Sequence, residues 1–273
     1  MDSPTVAFHM AHAMGRELRA VGINLDFAPC IDIFTNPKNT VIGDRSPSTD
    51  PEIVAKIGSA LVRGYIKANV VPCVKHFPGH GNTLVDSHED LPVEEADLQR
   101  LNEIELIPFK KTFKSRAEMV MTAHILFKNV DPDWPVTLSE KFLKKILRED
   151  CKYRGLVITD DLDMKAMSKH YDKAKIPVRA YQAGADILLY CNEPDSPPVA
   201  IEGMVEAVAQ GVISKDDLMK SHARLLEFKK EHLQKPEPLT LHEATQIIGS
   251  SEHFKLSQAI AAKEVPTDLQ AMN

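Results

Sequence analysis

The stretch VVPCVKHFPGHGNTLVDSHEDLP, Val70–Pro92, changes character at Lys75. Before it runs an apolar, β-branched segment that reads as a buried strand. From Lys75 to Pro92 come three histidines, two aspartates, a glutamate and two glycines. A buried strand that ends in dense titratable chemistry is the pattern of a parallel α/β protein whose site lies at the C-terminal strand ends.

The rest of the chain repeats the pattern. Strands are predicted over Gly22–Pro29, Val70–Phe77, Ala117–His124, Gly155–Asp161 and Ala185–Asn192, each apolar without clean alternation. Amphipathic stretches separate them, including PTVAFHMAHAMGRELRAV, DPEIVAKIGSALVRGYIKA, VEEADLQRLNEIELIPFKKTF and LSEKFLKKILRED. SKDDLMKSHARLLEFKK opens with Ser214 and Asp217 in capping-box spacing. Alternating β and α predicts a barrel or an open parallel sheet. After a Pro-containing linker, residues 235–273 form a tail of two short helical patterns, set apart from a catalytic unit over 1–234.

Composition narrows the function. With 43% apolar and 26% charged residues, the 273-residue chain is an ordinary globular sequence. A net charge of −6 without a basic block argues against nucleic acid as a partner. No apolar run is long enough to span a membrane, and no signal peptide is visible, so the expected location is cytoplasmic. Cys30, Cys73, Cys151 and Cys191 lack CxxC spacing and read as free thiols.

Three readings compete for the polar loop. It is a solvated loop with Gly79 and Gly81 in turns, a metal site built from His76, His80, Asp86 and His88, or an acid/base device. The metal reading lacks a His-x-His or HExxH spacing. The acid/base reading rests on Asp86-Ser87-His88, since in extended chain a carboxylate at i reaches an imidazole at i+2 and fixes its tautomer. A nucleophile candidate is Asp160, at the end of the strand GLVITDD, with Asp161 as a helix cap. Lys75 and His76 at their strand end suit hydrogen bonds to sugar hydroxyls. Arg45 suits a substrate oxygen, or a salt bridge to Asp44 or Asp50.

The segments FAPCIDI, VIGDRS, KHFPGHGNTLVDSHEDLP, MTAHILFKNVDPDWPVTLS, GLVITDDLDM and AGADILLYCN together resemble the β-N-acetylhexosaminidases of glycoside hydrolase family 3, from about Ala11 to about Lys230. The resemblance implies a (β/α)8 TIM-type barrel, no cofactor, no metal, and a monomer when full length. It implies exo-hydrolysis of terminal N-acetylglucosamine from peptidoglycan fragments with retention, the substrates being N-acetylglucosaminides and muropeptides of cell-wall recycling. Asp160 matches the nucleophile, His88 and Asp86 the acid/base dyad, and Arg45, Lys75 and His76 the sugar-binding positions. A related β-glucosidase, a metal-dependent hydrolase and a non-catalytic carbohydrate-binding remnant are the alternatives. In that family about three more strands precede FAPCIDI, one ending in a DQEGG-type segment that contacts the sugar. No such segment occurs here, so the resemblance implies a barrel lacking its first strands, with low activity and a tendency to aggregate.

Overall fold

The computed structural model describes residues 3–233 and 239–266. Helix α1, Pro4–Ala20, starts where Ser3 accepts the Val6 N–H and Pro4 takes a first-turn position that needs no N–H donor. The short strand β1, Leu25–Asp26, follows. Helix α2, Pro51–Lys67, is capped by the Asp50 carboxylate, which accepts the N–H groups of Glu52 and Ile53 at 2.8 and 3.1 Å. Asp50 is thereby committed to its helix rather than to Arg45. The two helices cross closely at Gly64, where a Cβ would lie 2.4 Å from the Phe8 carbonyl oxygen.

Strand β2, Val71–Phe77, is buried along nearly its whole length. Beyond it lie the two-residue strand β3, Val93–Glu94, then α3, Leu98–Glu103, and α4, Leu106–Lys114. The sequence predicts one helix here. The chain breaks at Ile104, the residue whose carbonyl would have bonded to the N–H that Pro108 lacks. Strands β4, Met119–Thr122, and β5, Leu126–Phe127, precede a wide π-type helix over Lys141–Asp150. Strand β6, Leu156–Ile158, leads through Asp160 to α5, Lys165–Ser168. Helices α6, Ile176–Ala183, α7, Ser196–Ala209, and α8, Lys215–His232, complete the α/β unit. Ser214 accepts the Asp217 N–H at the start of α8, as its spacing predicts.

The strands form a parallel sheet in the order β1-β2-β4-β6, and β3 pairs with β5 in a second, small parallel sheet. This is the α/β fold of a TIM-type barrel with no closed barrel among the described residues. The predicted strand Ala185–Asn192 joins the sheet by a single bridge, Ile187 to Ile158. Its ladder stops there because the Thr159 hydroxyl, not a backbone carbonyl, accepts the Leu189 N–H. The predicted strand Gly22–Pro29 is likewise cut to two residues, and its pairing resumes only as a bridge between Cys30 and Lys75.

One large apolar core, containing Ile31, Val74, Phe77, Phe109, Val120, Phe127 and Phe142, packs the helices against the sheet. It holds the C-terminal ends of β2, β4 and β6 rigidly side by side, which is what a convergent site needs.

The expected tail begins at Lys235 and ends at Asn273, both outside the described residues. Within it, α9, Leu241–Ile247, and α10, Ser251–Ala261, lie against α1. There the Glu17 carboxylate meets the His253 ring at 2.6 Å and accepts the Gly249 N–H at 3.0 Å. No helix among the described residues is long and apolar enough to cross a membrane.

Candidate active site

The centre of the site is Asp32, which is fully buried. Its carboxylate accepts the N–H groups of His76 and His80 and the Cys30 thiol, and lies 2.7 Å from His76 Nδ1. Burial alone would raise its pKa. The neighbouring histidines and these donors outweigh burial and hold it far below the usual carboxylate range. A buried charge is tolerated only when its oxygens are satisfied in this way.

Asp32 fixes the strand end that carries His76 and the turn that carries His80. The turn packs so tightly that a Cβ on Gly81 would lie 1.8 Å from the Ile33 carbonyl oxygen. His80 is held between Thr83 Oγ1, 2.8 Å from its Nδ1, and Ser87 Oγ, 3.1 Å from its Nε2. Burial, aided by His76, drops its pKa to about 4, so at neutral pH it is an uncharged hydrogen-bonding spacer.

Asp160 emerges past the end of β6, and its Oδ2 lies 4.0 Å from His76 Nε2. His76 thus bridges two carboxylates, one buried and one facing the mouth. Burial pushes the Asp160 carboxyl up, but His76, His124, the Asp161 N–H and Lys75 together hold it below its ordinary value. It is therefore an ionised carboxylate at neutral pH, as a nucleophile must be. His124 is oriented by Thr137 Oγ1 at Nδ1, 2.7 Å, and by the Asp161 carbonyl, 3.0 Å from Nε2. A carbonyl can only accept, so Nε2 carries the proton.

Asp161 does not cap a helix, contrary to the sequence expectation. Its carboxylate accepts the N–H groups of Asp163 and Cys191 and the Asn192 amide, stitching the Asp160 turn to the segment after Ile187. The short α5 begins only at Lys165, with Met164 as its uncapped lead residue.

Asp86 and His88 make the local pair that their spacing predicts. Asp86 Oδ1 accepts the His88 N–H and lies 2.8 Å from Nδ1. The pair sits on the surface, with the His88 side chain 63% exposed. Among the described residues, Nε2 of His88 has no hydrogen-bond partner. Arg45 lies on the turn Gly43–Arg45, where its guanidinium donates to the Val41 carbonyl and makes no ion pair with Asp44 or Asp50. Lys75, next to His76, contributes positive charge near Asp160.

The metal cluster suggested by sequence is not assembled. Asp32 and Asp86 engage His76 and His88 at Nδ1, and His80 spends both nitrogens on hydroxyls. Among the described residues, only Cys30, Asp32 and His76 bring three candidate donor atoms within 4.8 Å of one another. Burial and the Asp32 charge push the Cys30 thiol well up, so it stays protonated and serves Asp32 as a donor.

Sequence reasoning missed Asp32, Cys30 and Thr137, and gave His124, at its predicted strand end, no role. For Asp32 a signal existed: a lone carboxylate inside the apolar run PCIDIF has to be paired if it is buried.

A parallel sheet gathers carboxylates and imidazoles at its C-terminal mouth, where the active sites of barrel-type enzymes lie. The chain belongs to glycosyl hydrolase family 3, whose N-terminal domain matches residues 1–228. It is 32% identical over 280 aligned positions to beta-hexosaminidase A of Pseudoalteromonas piscicida, covering 93% of this chain and 45% of that protein. It is 36% identical over 213 positions to the beta-hexosaminidase of Hydrogenovibrio crunogenus, covering 77% of this chain and 58% of the other. The solved structure of a β-N-acetylglucosaminidase from Paenibacillus superposes with a TM-score of 0.84 at 38% identity, covering 94% of this chain and 50% of its own. The chain therefore spans about half the length of these relatives.

Proposed function

We propose that this chain carries the chemistry of a retaining exo-β-N-acetylglucosaminidase acting on terminal N-acetylglucosamine of peptidoglycan fragments. The observation that carries the reading is Asp160, an ionised, partly exposed carboxylate at the sheet mouth between His76 and His124. The beta-hexosaminidase names of the relatives support the substrate class.

In this reading Asp160 attacks the anomeric carbon as the aglycone leaves, forming a glycosyl-enzyme. His88 gives its Nε2 proton to the departing oxygen. The neutral ring then takes a proton from the water that releases the sugar. Asp86 holds Nδ1–H, which leaves Nε2 as the working nitrogen and stabilises the imidazolium. Using a histidine keeps a second negative charge away from the nucleophile. Lys75, His76 and Arg45 are the sugar-binding residues, and the cell-wall recycling role and the cytoplasmic setting go with this substrate.

The test is hydrolysis of an aryl N-acetyl-β-glucosaminide by the wild type, Asp160→Ala and His88→Ala. Asp160→Ala should lose essentially all turnover, and His88→Ala about 10²–10⁴-fold. Near-normal turnover by Asp160→Ala would refute the nucleophile assignment. Binding of N-acetylglucosamine without turnover by the wild type would identify a carbohydrate-binding remnant instead.

A further inference from the structure

A polar seam ties the Asp86–His88 loop to the chain that follows Asp160. Lys165 Nζ lies 3.2 Å from Glu89 Oε2. Lys169 Nζ donates to the Glu89 carbonyl at 2.7 Å and lies 3.7 Å from Asp90 Oδ2. His170 Nε2 is 2.6 Å from Asp90 Oδ1, and the Ala166 N–H donates to the Ser87 carbonyl at 3.2 Å. The ion pairs join residues 76 to 80 positions apart in sequence. Within the loop, Leu84 and Val85 are exposed and bury nothing that would anchor it. For the outer loop, residues 84–91, the hydrogen bonds and ion pairs that reach beyond it among the described residues run to 165–170, apart from Ser87 Oγ on His80.

We propose that Lys165, Lys169 and His170 are positioning residues that seat the histidine loop against the Asp160 segment. The inference rests on the reading of His88 as the acid/base residue. Holding an exposed loop in one place costs conformational entropy, which contacts must offset. A single exposed ion pair offsets little, but several pairs that share two adjacent carboxylates, together with a backbone bond, act as a network. α5 is a few residues from Asp160 in the chain, so the seam places nucleophile and proton donor on one support. Because the pairs are half exposed, salt weakens them. The seated fraction of the loop, and with it proton donation, responds to charge at 165 and 169.

The experiment is hydrogen–deuterium exchange of the 84–91 amides alongside kcat and KM on the aryl N-acetyl-β-glucosaminide. The proteins are the wild type, Lys165→Glu/Lys169→Glu, and Lys165→Glu with and without Glu89→Lys. The double variant should exchange about fivefold faster and lose about three- to tenfold in kcat, with KM within about twofold. Glu89→Lys should recover much of the loss in Lys165→Glu by restoring opposite charges. Unchanged exchange in the double variant overturns the seam. Faster exchange with unchanged kcat overturns the positioning role. Faster exchange in a protein family in which even the wild type turns nothing over supports the seam and refutes the activity reading, so the two failures are distinct.

Discussion

The same bond, from a histidine Nδ1 to an aspartate, occurs twice among the described residues. At the centre, His76 Nδ1 lies 2.7 Å from Asp32; on the loop, His88 Nδ1 lies 2.8 Å from Asp86. The first pair is almost wholly buried, while the His88 ring is 63% exposed. Asp32 has further donors from His80 and Cys30, whereas Asp86 has only its histidine two residues on. The difference shows that distance alone does not assign a role. A carboxylate that spends its oxygens on several buried donors fixes backbone, and an exposed pair can act on something that arrives.

The comparison is broken most forcefully at Asp32. Asp32→Ala strands buried donors on His76, His80 and Cys30, and should cost about 3–5 kcal/mol, lowering the melting midpoint by about 10 °C. Thermal unfolding followed by circular dichroism measures this, and a shift of only a degree or two would mean Asp32 is not the structural hub.

Acid should weaken the fold through its buried histidines. His80 titrates near 6.5 in the unfolded chain but about 4 in the folded protein, because burial disfavours its charge. Between those values the unfolded state binds the additional proton, so stability falls as pH falls, by up to about 1.4 kcal/mol per pH unit. Burial lowers His124 too, adding a contribution of the same sign. Urea unfolding at pH 7.5, 6 and 5 reads the slope, and His80→Gln should flatten it. A wild-type stability that does not change from pH 6.5 to 5 contradicts the buried-neutral assignment.

The smallest stability effect should come from the loop. Asp86→Asn should change stability by less than about 0.5 kcal/mol, since the pair is solvated. The same substitution should lower turnover at least about tenfold, because an amide brings no charge to stabilise the imidazolium and can present its NH2 group to Nδ1, which fixes the wrong tautomer. A variant that loses stability but keeps turnover would invert the comparison.

Legibility in the sequence followed the range of the contacts. Asp86 and His88 could be paired from their spacing, and Asp160 placed at a strand end from the apolar run before it. Asp32 lies past the predicted strand Gly22–Pro29, and its partners, 44 and 48 residues away, leave no local pattern. The β3–β5 pairing involves two residues per strand, too few to leave a periodic pattern. The break at Ile104 was hidden because the apolar spacing continues through it, and only Pro108 marks it. No local pattern singles out Lys165, Lys169 and His170; only the fold brings Glu89 and Asp90 against them.

The contact of α9 and α10 with α1 has a consequence during synthesis. Glu17 and His253 are 236 residues apart, so α1 has left the ribosome long before its partner exists. A face that must wait through most of translation is safest if water can serve as its temporary partner. The outer face of α1 meets the tail through Arg16 and Glu17, charged groups that water can solvate meanwhile. Of its apolar residues, the buried Ala7 and Ala11 cluster with Leu61 and Tyr65 of α2, a neighbour made within the next few dozen residues. The order in which the surfaces of α1 are covered thus matches how much each would suffer from delay.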